Sequence, residues 1–312
     1  MLSELAFVLL IFAVVHGAFI VLDVLSLRQD ARTGAAPALH GLGAAAVLFL
    51  GGVWLAYFVI QNALMAALPP TEAMVDALAA ALGVDPAGRD AGPAVMASLL
   101  AATFFIAGFW DYAFHRWLLH TRWGWFLHEN HHLPTVVANG IPGISVRPFV
   151  AATTVLTSLG TALTMLGVMA LAGRAELVDA YLRGLPALVL ALTLIGSASH
   201  SAFLRRFPGV HRVLRAVAVT TPQEHVLHHA TALHGNYGNF TSFWDRVFGT
   251  YLAPAPAGVP PLRLGLAYDQ DFLGTLTAGR WKLSPAVRRR YRLETFCHLH
   301  RRSGAANEEP AP

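Results

Sequence analysis

The chain has 312 residues, of which 55% are hydrophobic and only 13% are charged, and its net charge is +4. Soluble proteins carry roughly 25% charged residues, so this composition indicates a membrane protein. The single cysteine, Cys297, excludes a disulfide framework, a four-thiolate zinc site and a cysteine-ligated iron–sulfur cluster. The basic residues are distributed along the chain as membrane topology requires, so the positive net charge does not lead us to expect nucleic-acid binding.

Five apolar stretches are long enough to cross a bilayer, which takes about 20 residues in a helix. The first is interrupted only by His16 and Asp23. It lacks the basic start and cleavage site of a signal peptide, so it is predicted to be a retained helix. The predicted spans are Leu5 to Leu27, Ala38 to Leu68, Ala94 to Tyr112, Pro148 to Ala172 and Gly184 to Phe203.

Five crossings place alternate loops on opposite faces of the membrane. All Lys and Arg residues except Arg89, Arg174 and Arg183 then lie on one face, and the positive-inside rule identifies that face as cytoplasmic. The predicted fold is an all-α integral membrane protein with about five transmembrane helices and a cytoplasmic histidine-rich cap. Residues 1–93 form the N-terminal helices and an external loop, 94–252 the histidine-rich core, and 253–312 a cytoplasmic tail with a basic amphipathic helix.

Histidines concentrate in three groups within the core. The first is the pair His115 and His120, whose five-residue spacing separates two side chains by about 140° on an ideal helix. The runs H-E-N-H-H and H-V-L-H-H follow, and each is predicted to present three imidazoles as one patch, since residues at i, i+3 and i+4 share a helix face. His200, at the end of the fifth span, brings the number of candidate nitrogen ligands to nine. Nine ligands are more than one metal ion needs, and they predict a site with two metal ions. These residues are His115, His120, His128, His131, His132, His200, His225, His228 and His229.

Carboxylates near the clusters are candidates to accept the outer ring N–H of ligand histidines. Asp111 lies four residues before His115, on the same helix face. Glu129, Glu224 and Asp245 are also close, and each could instead cap a helix or pair with an arginine. Histidines outside the clusters are predicted to be packing or interfacial residues; they are His16, His40, His211, His298 and His300.

The sequence resembles the membrane fatty-acid hydroxylase and sterol desaturase superfamily. The matching elements are D-Y-A-F-H-R-W-L-L-H, H-E-N-H-H and H-V-L-H-H, followed by N-Y-G-N-F-T-S-F-W-D-R-V-F-G-T-Y, over roughly Asp111 to Tyr251. The resemblance implies a non-haem di-iron centre held by the nine histidines. His234 is a possible further ligand or hydrogen-bond donor. The trailing element is expected to brace the third cluster through Asn236, Tyr237, Asn239, Trp244 and Asp245.

The resemblance implies an O2-dependent oxygenase that hydroxylates or desaturates a C–H bond of a lipid. A fatty acyl chain, a sterol, a sphingoid base and an ether lipid are all open as substrates, and hydroxylation is favoured over desaturation. Without a fused haem or flavin domain, the enzyme needs an external electron donor such as a ferredoxin or a b-type cytochrome. The donor could dock on the basic patch formed by Arg205, Arg206, Arg212 and Arg215, which could equally serve topology alone.

Other function classes use histidines differently. A transition-metal transporter would place its ligands near mid-membrane, whereas these clusters follow the apolar stretches. A bis-histidine haem protein needs paired histidines within facing helices, and a zinc-dependent membrane hydrolase needs fewer ligands. The arginine-rich basic set favours a bacterial inner membrane with a cytoplasmic active site, with the endoplasmic reticulum as the alternative.

Overall fold

The structure is a computed structural model that describes residues 2–32, 92–132, 136–139, 151–230, 234–254, 264–266 and 280–290, with scattered single positions elsewhere. Regular structure in these ranges is helical, apart from two isolated β-bridges. The helices are α1 (Leu2–Arg32), α2 (Pro93–Phe114) with a π-helical turn (His115–Leu119), α3 (Trp125–His132), α4 (Ala151–Leu171), α5 (Val178–Ser199), α6 (Pro208–Ala216), α7 (Pro222–His228), α8 (Phe243–Val247) and α9 (Pro285–Arg290).

Three helices in the described part of the chain are long and apolar enough to cross a membrane, namely Pro93–Leu119, Thr153–Leu171 and Val178–Ser199. The all-helical membrane architecture is therefore confirmed, and the chain is an integral membrane protein. The predicted first span falls inside α1, whereas the predicted second span, Ala38 to Leu68, lies outside the described residues. A total of five spans thus stays a prediction, as do the three predicted divisions of the chain.

The observed spans differ from the predicted ones at their ends. The third continues beyond Tyr112 through the π-helical turn and ends at Leu119. The fifth begins at Val178 rather than Gly184, because Asp179 and Arg183 are tolerated in its first turns, where they pair with each other. In the tail, the predicted basic amphipathic helix is described only over Pro285–Arg290.

Helices α2, α4 and α5 pack together at both small and aromatic residues. Gly160 of α4 lies directly against the ring of Trp110, where an added Cβ would come within 2.6 Å of the indole. The same indole donates to Thr164 Oγ1 at 3.0 Å. Close approach at a glycine and hydrogen bonds between helices are typical of association in a bilayer, where burial of apolar surface gives little driving force.

Helix α1 packs along α5 and reaches the end of the bundle that carries the histidines. His16 Nδ1 lies 3.1 Å from Ser197 Oγ, which makes it a buried, hydrogen-bonded packing residue. On the opposite flank, Trp244 of α8 donates to the carbonyl of Phe105 in α2 at 2.7 Å. The short helix α8 is therefore hydrogen-bonded to the middle of the span that contains α2.

Candidate metal centre

A π-helical turn brings His115 and His120 together at the end of α2. The backbone N–H of His120 donates to the carbonyl of His115 at 3.1 Å, closing a hydrogen bond over five residues instead of four. Because this wider turn changes the angle between the two positions, the prediction from an ideal α-helix is wrong. The two imidazole rings lie 5.1 Å apart. Such turns are rare and are frequent at functional sites.

A tight turn at Gly124 then reverses the chain into α3. A Cβ at this position would come within 2.1 Å of the Leu118 carbonyl oxygen, so the turn accommodates only glycine. The reversal places α3 beside the π-helical turn, and His128 Nε2 reaches within 2.9 Å of His115 Nε2. The glycine therefore determines how closely the second histidine run approaches the first pair.

Helix α7 carries the third histidine run and begins with a capping box. Thr221 Oγ1 accepts from the backbone N–H of Glu224, and Glu224 in turn accepts from the N–H of Thr221. The fully buried Glu224 also accepts from the hydroxyl of Tyr251. Of the three roles considered for Glu224, the structure shows the helix cap and the contact with an arginine, since Arg246 Nη2 lies 3.9 Å from Glu224 Oε1. The cap holds the first turn of α7 in place.

The nine histidines form two groups whose ligand nitrogens lie within 4.8 Å of one another. The first histidine group is His115, His120, His128, His132 and His228; the second histidine group is His131, His200, His225 and His229. The expectation that each H-x-x-H-H run forms one patch is wrong. In each run the first and last histidines, at i and i+4, belong to one group, and the middle histidine, at i+3, belongs to the other. The two helices that carry the runs therefore each contribute to both groups.

Three histidines are oriented by backbone carbonyl groups. The Nδ1–H of His115 donates to the carbonyl of Tyr237, that of His228 to Gly235 at 3.1 Å, and that of His200 to Gly196 at 2.8 Å. A carbonyl oxygen only accepts, so Nδ1 carries the proton in all three and Nε2 keeps its lone pair. These three lone pairs point toward the group centres, as metal ligation requires.

The ring nitrogens within each group are placed to bind a cation rather than to hydrogen-bond with one another. His128 Nε2 lies 2.9 Å from His115 Nε2 and 3.1 Å from His132 Nε2, while His225 Nε2 is equally close to two others. One ring nitrogen cannot satisfy two such neighbours with a single proton. His120 Nε2 and His228 Nε2 are buried without a hydrogen-bond partner in the described part of the chain. Imidazole nitrogens are suitable ligands for iron, copper, nickel and zinc.

Burial keeps the histidines of both groups neutral. It lowers the pKa of His120 to about 2 and that of His200 to about 4, and neighbouring histidines add to the effect at His120. The pKa values of His128, His131, His132, His225, His228 and His229 are likewise lowered, chiefly by burial. The neutral imidazole is the form that binds metal, so the site is preorganised for ligation near pH 7.

The metal-free protein is expected to lose stability as the pH falls below 6.5. An unfolded chain binds protons at its histidines from 6.5 downward, whereas the buried imidazoles, with pKa values near 4 for His200 and near 2 for His120, do not. The free energy of unfolding should therefore fall across this window. Thermal unfolding in detergent at pH 7.5, 6.0 and 5.0 measures it. A His234→Gln control should follow the wild type, and a midpoint independent of pH would contradict the argument.

The remaining candidate residues surround the two groups without joining them. His234 is exposed and belongs to neither group. Asp111 accepts from the backbone and side-chain N–H groups of Asn239, at 2.8 and 2.9 Å. Instead of the expected bond from His115 to Asp111, the amide of Asn239 lies between them, with its Nδ2 3.4 Å from His115 Nδ1. Asp111 thus holds the loop that lies against His115.

Asn236 and Asp245 shape the loop whose carbonyls orient the histidines. Asp245 accepts from the backbone N–H groups of Tyr237 and Gly238 and from the hydroxyl of Thr250. Asn236, with a φ of 53°, donates to the carbonyls of Glu224 and Leu252 and accepts from the N–H of Leu252. Their side chains therefore fix the backbone from Gly235 to Asn239.

Three buried polar residues near the site were given no role at the site from the sequence. Asp23 and Asn139 are fully buried and bonded to each other. His211, which we expected to be interfacial, is also fully buried, and its Nε2 donates to the carbonyl of Arg205 at 3.2 Å. The available signal was Asp23 itself, because an acid inside an apolar stretch is costly unless it has partners.

The basic patch is largely held by contacts within the chain. Arg205 donates to the carbonyl of Val137, Arg206 pairs with Asp30, and Arg215 donates to Gln223. Arg212 is exposed on α6. Three of the four arginines therefore serve the fold.

A family model described as fatty acid hydroxylase matches residues 100–250 of the chain. Neither the comparison with curated proteins nor that with solved structures gives a match. The matched region contains both histidine groups, the π-helical turn and the loop that orients His115 and His228. On these grounds residues 100–250 belong to the fatty acid hydroxylase family, and the chain is a membrane oxidoreductase with a histidine-rich di-metal site.

Proposed function

We propose that the protein is a di-iron oxygenase that inserts one oxygen atom of O2 into a C–H bond of a membrane lipid. The observation that carries this proposal is the pair of buried, all-imidazole groups at the ends of apolar helices. Two bound iron ions would supply the redox chemistry for reducing O2 and oxidising an unactivated C–H bond. The substrate class is a fatty acyl chain, sterol, sphingoid base or ether lipid.

The protein's own contribution is to hold neutral nitrogen ligands in a place that excludes bulk water. All nine histidines except His120 are buried, and carbonyl groups fix three of the rings. Lipid-facing residues such as Leu163, Val168 and Leu194 are exposed on the spans, so acyl chains lie alongside the same helices. Choice between hydroxylation and desaturation then depends on which substrate carbon is held near the site, and we favour hydroxylation.

Hydroxylation consumes one O2, two electrons and two protons, and it yields an alcohol and one water. The electrons must come from outside the chain, and we propose a ferredoxin or a b-type cytochrome as the donor. We further propose five spans with the histidine groups on the cytoplasmic face, in a bacterial inner membrane. The distribution of Lys and Arg supports that orientation, and it would let a soluble donor reach the site.

The test combines metal analysis with isotope labelling of purified protein in lipid nanodiscs. We expect about two iron ions per chain, one for each histidine group, and ¹⁸O from ¹⁸O2 in a lipid alcohol when a reductase system is supplied. A His225→Ala variant serves as the inactive control. A new alkene without ¹⁸O would identify a desaturase instead. Tightly held zinc with a hydrolysed product would contradict the proposal and support the zinc-hydrolase alternative.

A further inference from the structure

Asp23 is a fully buried carboxylate in the last third of the N-terminal helix, and four donors surround it. Its Oδ2 accepts from the backbone N–H and the side-chain amide of Asn139, at 2.7 and 3.0 Å. Its Oδ1 accepts from Ser201 Oγ at 2.7 Å and from the backbone N–H of Phe203 at 2.9 Å. A carboxylate offers about four acceptor sites, and all are used here.

These bonds join three segments that are far apart in the chain. One is α1, another is the described stretch 136–139 that follows the helix of His131, and the third is the end of α5 around His200. Asn139 extends the connection by donating to the carbonyl of Ser197 at 2.8 Å. Asp23 therefore bonds to both chain segments that deliver His131 and His200, which are two of the four members of the second histidine group.

Other contacts of α1 support the same placement. His16, two turns before Asp23, bonds to Ser197, and Arg206 donates to the carbonyl of Ser26. All of α1 lies outside residues 100–250, the part of the chain that the family model covers. In the first histidine group, the loop from Gly235 to Asn239 orients the rings of His115 and His228, whereas His128 and His132 share α3 with His131.

We propose that Asp23 is a positioning residue for the second histidine group: by tying Asn139 and Ser201 to α1, it holds His131 and His200 at ligation distance from His225 and His229. The inference rests on one part of the proposed function, namely that each histidine group binds a metal ion. A partner of this kind, one step removed from the ligands, typically changes metal affinity by about 10- to 100-fold. A purely structural role in folding would affect both groups alike.

The experiment is a titration of metal-free, full-length protein in detergent with Co²⁺ alone, followed by its visible absorption and by competition with a chelator. The wild type should bind about two Co²⁺ ions, one for each group. In Asp23→Asn, one site should weaken by about 10-fold or more and the other by less than about 2-fold. Asp30→Asn, on the same helix and paired with Arg206 at the surface, is the matched control and should bind as the wild type does.

The affected site is identified in a His228→Ala background, where only the second histidine group is complete. Adding Asp23→Asn there should weaken the remaining site and shift its Co²⁺ absorption. Equal weakening of both sites, no weakening, or weakening of the first group alone would overturn the proposal. If Asp23→Asn does not fold, Ser201→Ala and Asn139→Ala each remove part of the same set and should give the same selectivity. A wild type that fails to bind two ions would overturn the di-metal function as well, whereas unselective loss overturns this inference only.

Discussion

Replacing His228 by alanine is expected to remove the metal of the first histidine group and to leave that of the second. Replacing His225, three residues earlier on the same helix, should do the reverse. The two side chains belong to different groups, and each group loses one ligand nitrogen when its histidine is changed. We expect the affinity of the affected site to fall by more than about 100-fold, since loss of a ligand exceeds the effect of changing its hydrogen-bond partner.

Metal analysis of each variant, with Co²⁺ or Fe²⁺, measures this result. Both variants should retain about one ion per chain, and lipid oxidation should be lost in both, because the chemistry needs both groups. His234→Ala is the control: His234 follows the end of α7 by six residues but is exposed and outside both groups. Loss of both ions in either single variant would contradict the separation into two groups.

Asp245→Ala should cause the largest loss of stability among single changes at the edge of the site. The carboxylate is fully buried, and it accepts from two backbone N–H groups and one hydroxyl. Burial raises its pKa, but those three hydrogen bonds favour the ionised form. Removing it leaves two buried backbone N–H groups without an acceptor, while the Thr250 hydroxyl keeps only its contact with the hydroxyl of Tyr112, at a total cost of about 3 kcal/mol. The free energy of unfolding and the thermal midpoint in detergent should both fall.

The matched control for this change is Asp179→Asn at the start of α5. Asp179 pairs with Arg183 at 3.1 Å, but both side chains are about half exposed. Water screens such a pair, so the free energy of unfolding should change by less than about 0.5 kcal/mol. If Asp245→Ala were as mild as Asp179→Asn, the loop from Gly235 to Asn239 would not depend on this carboxylate.

Much of the membrane part of the fold follows from the sequence, because length and apolarity are local properties. The runs that became α2, α4 and α5 were predicted within a few residues at most ends, and the larger error at Val178 arose because Asp179 and Arg183 offset each other's charge. The histidine runs likewise follow from spacing alone. Their convergence into a metal site required only that the loops share one face.

The division of the nine histidines into two groups could not be predicted in the same way. It depends on the rotation of α3 against α7, two helices separated by about ninety residues, and no local pattern encodes that rotation. Asp23 illustrates the same limit. In the sequence it is an acid that interrupts an apolar stretch, and only the folded chain shows the four donors that surround it.

The π-helical turn makes the site depend on the number of residues between two ligands more than on their identity. Trp117 is half exposed, so substitutions there leave the path of the backbone unchanged. Deleting one residue from Arg116 to Leu119 would instead convert the turn to ordinary helix and rotate everything that follows by about 100°. His120 would then leave the first histidine group, and the chain reversal at Gly124 would be displaced with it. Length variation in this segment is therefore incompatible with a working site, whereas variation in composition at its exposed positions is not.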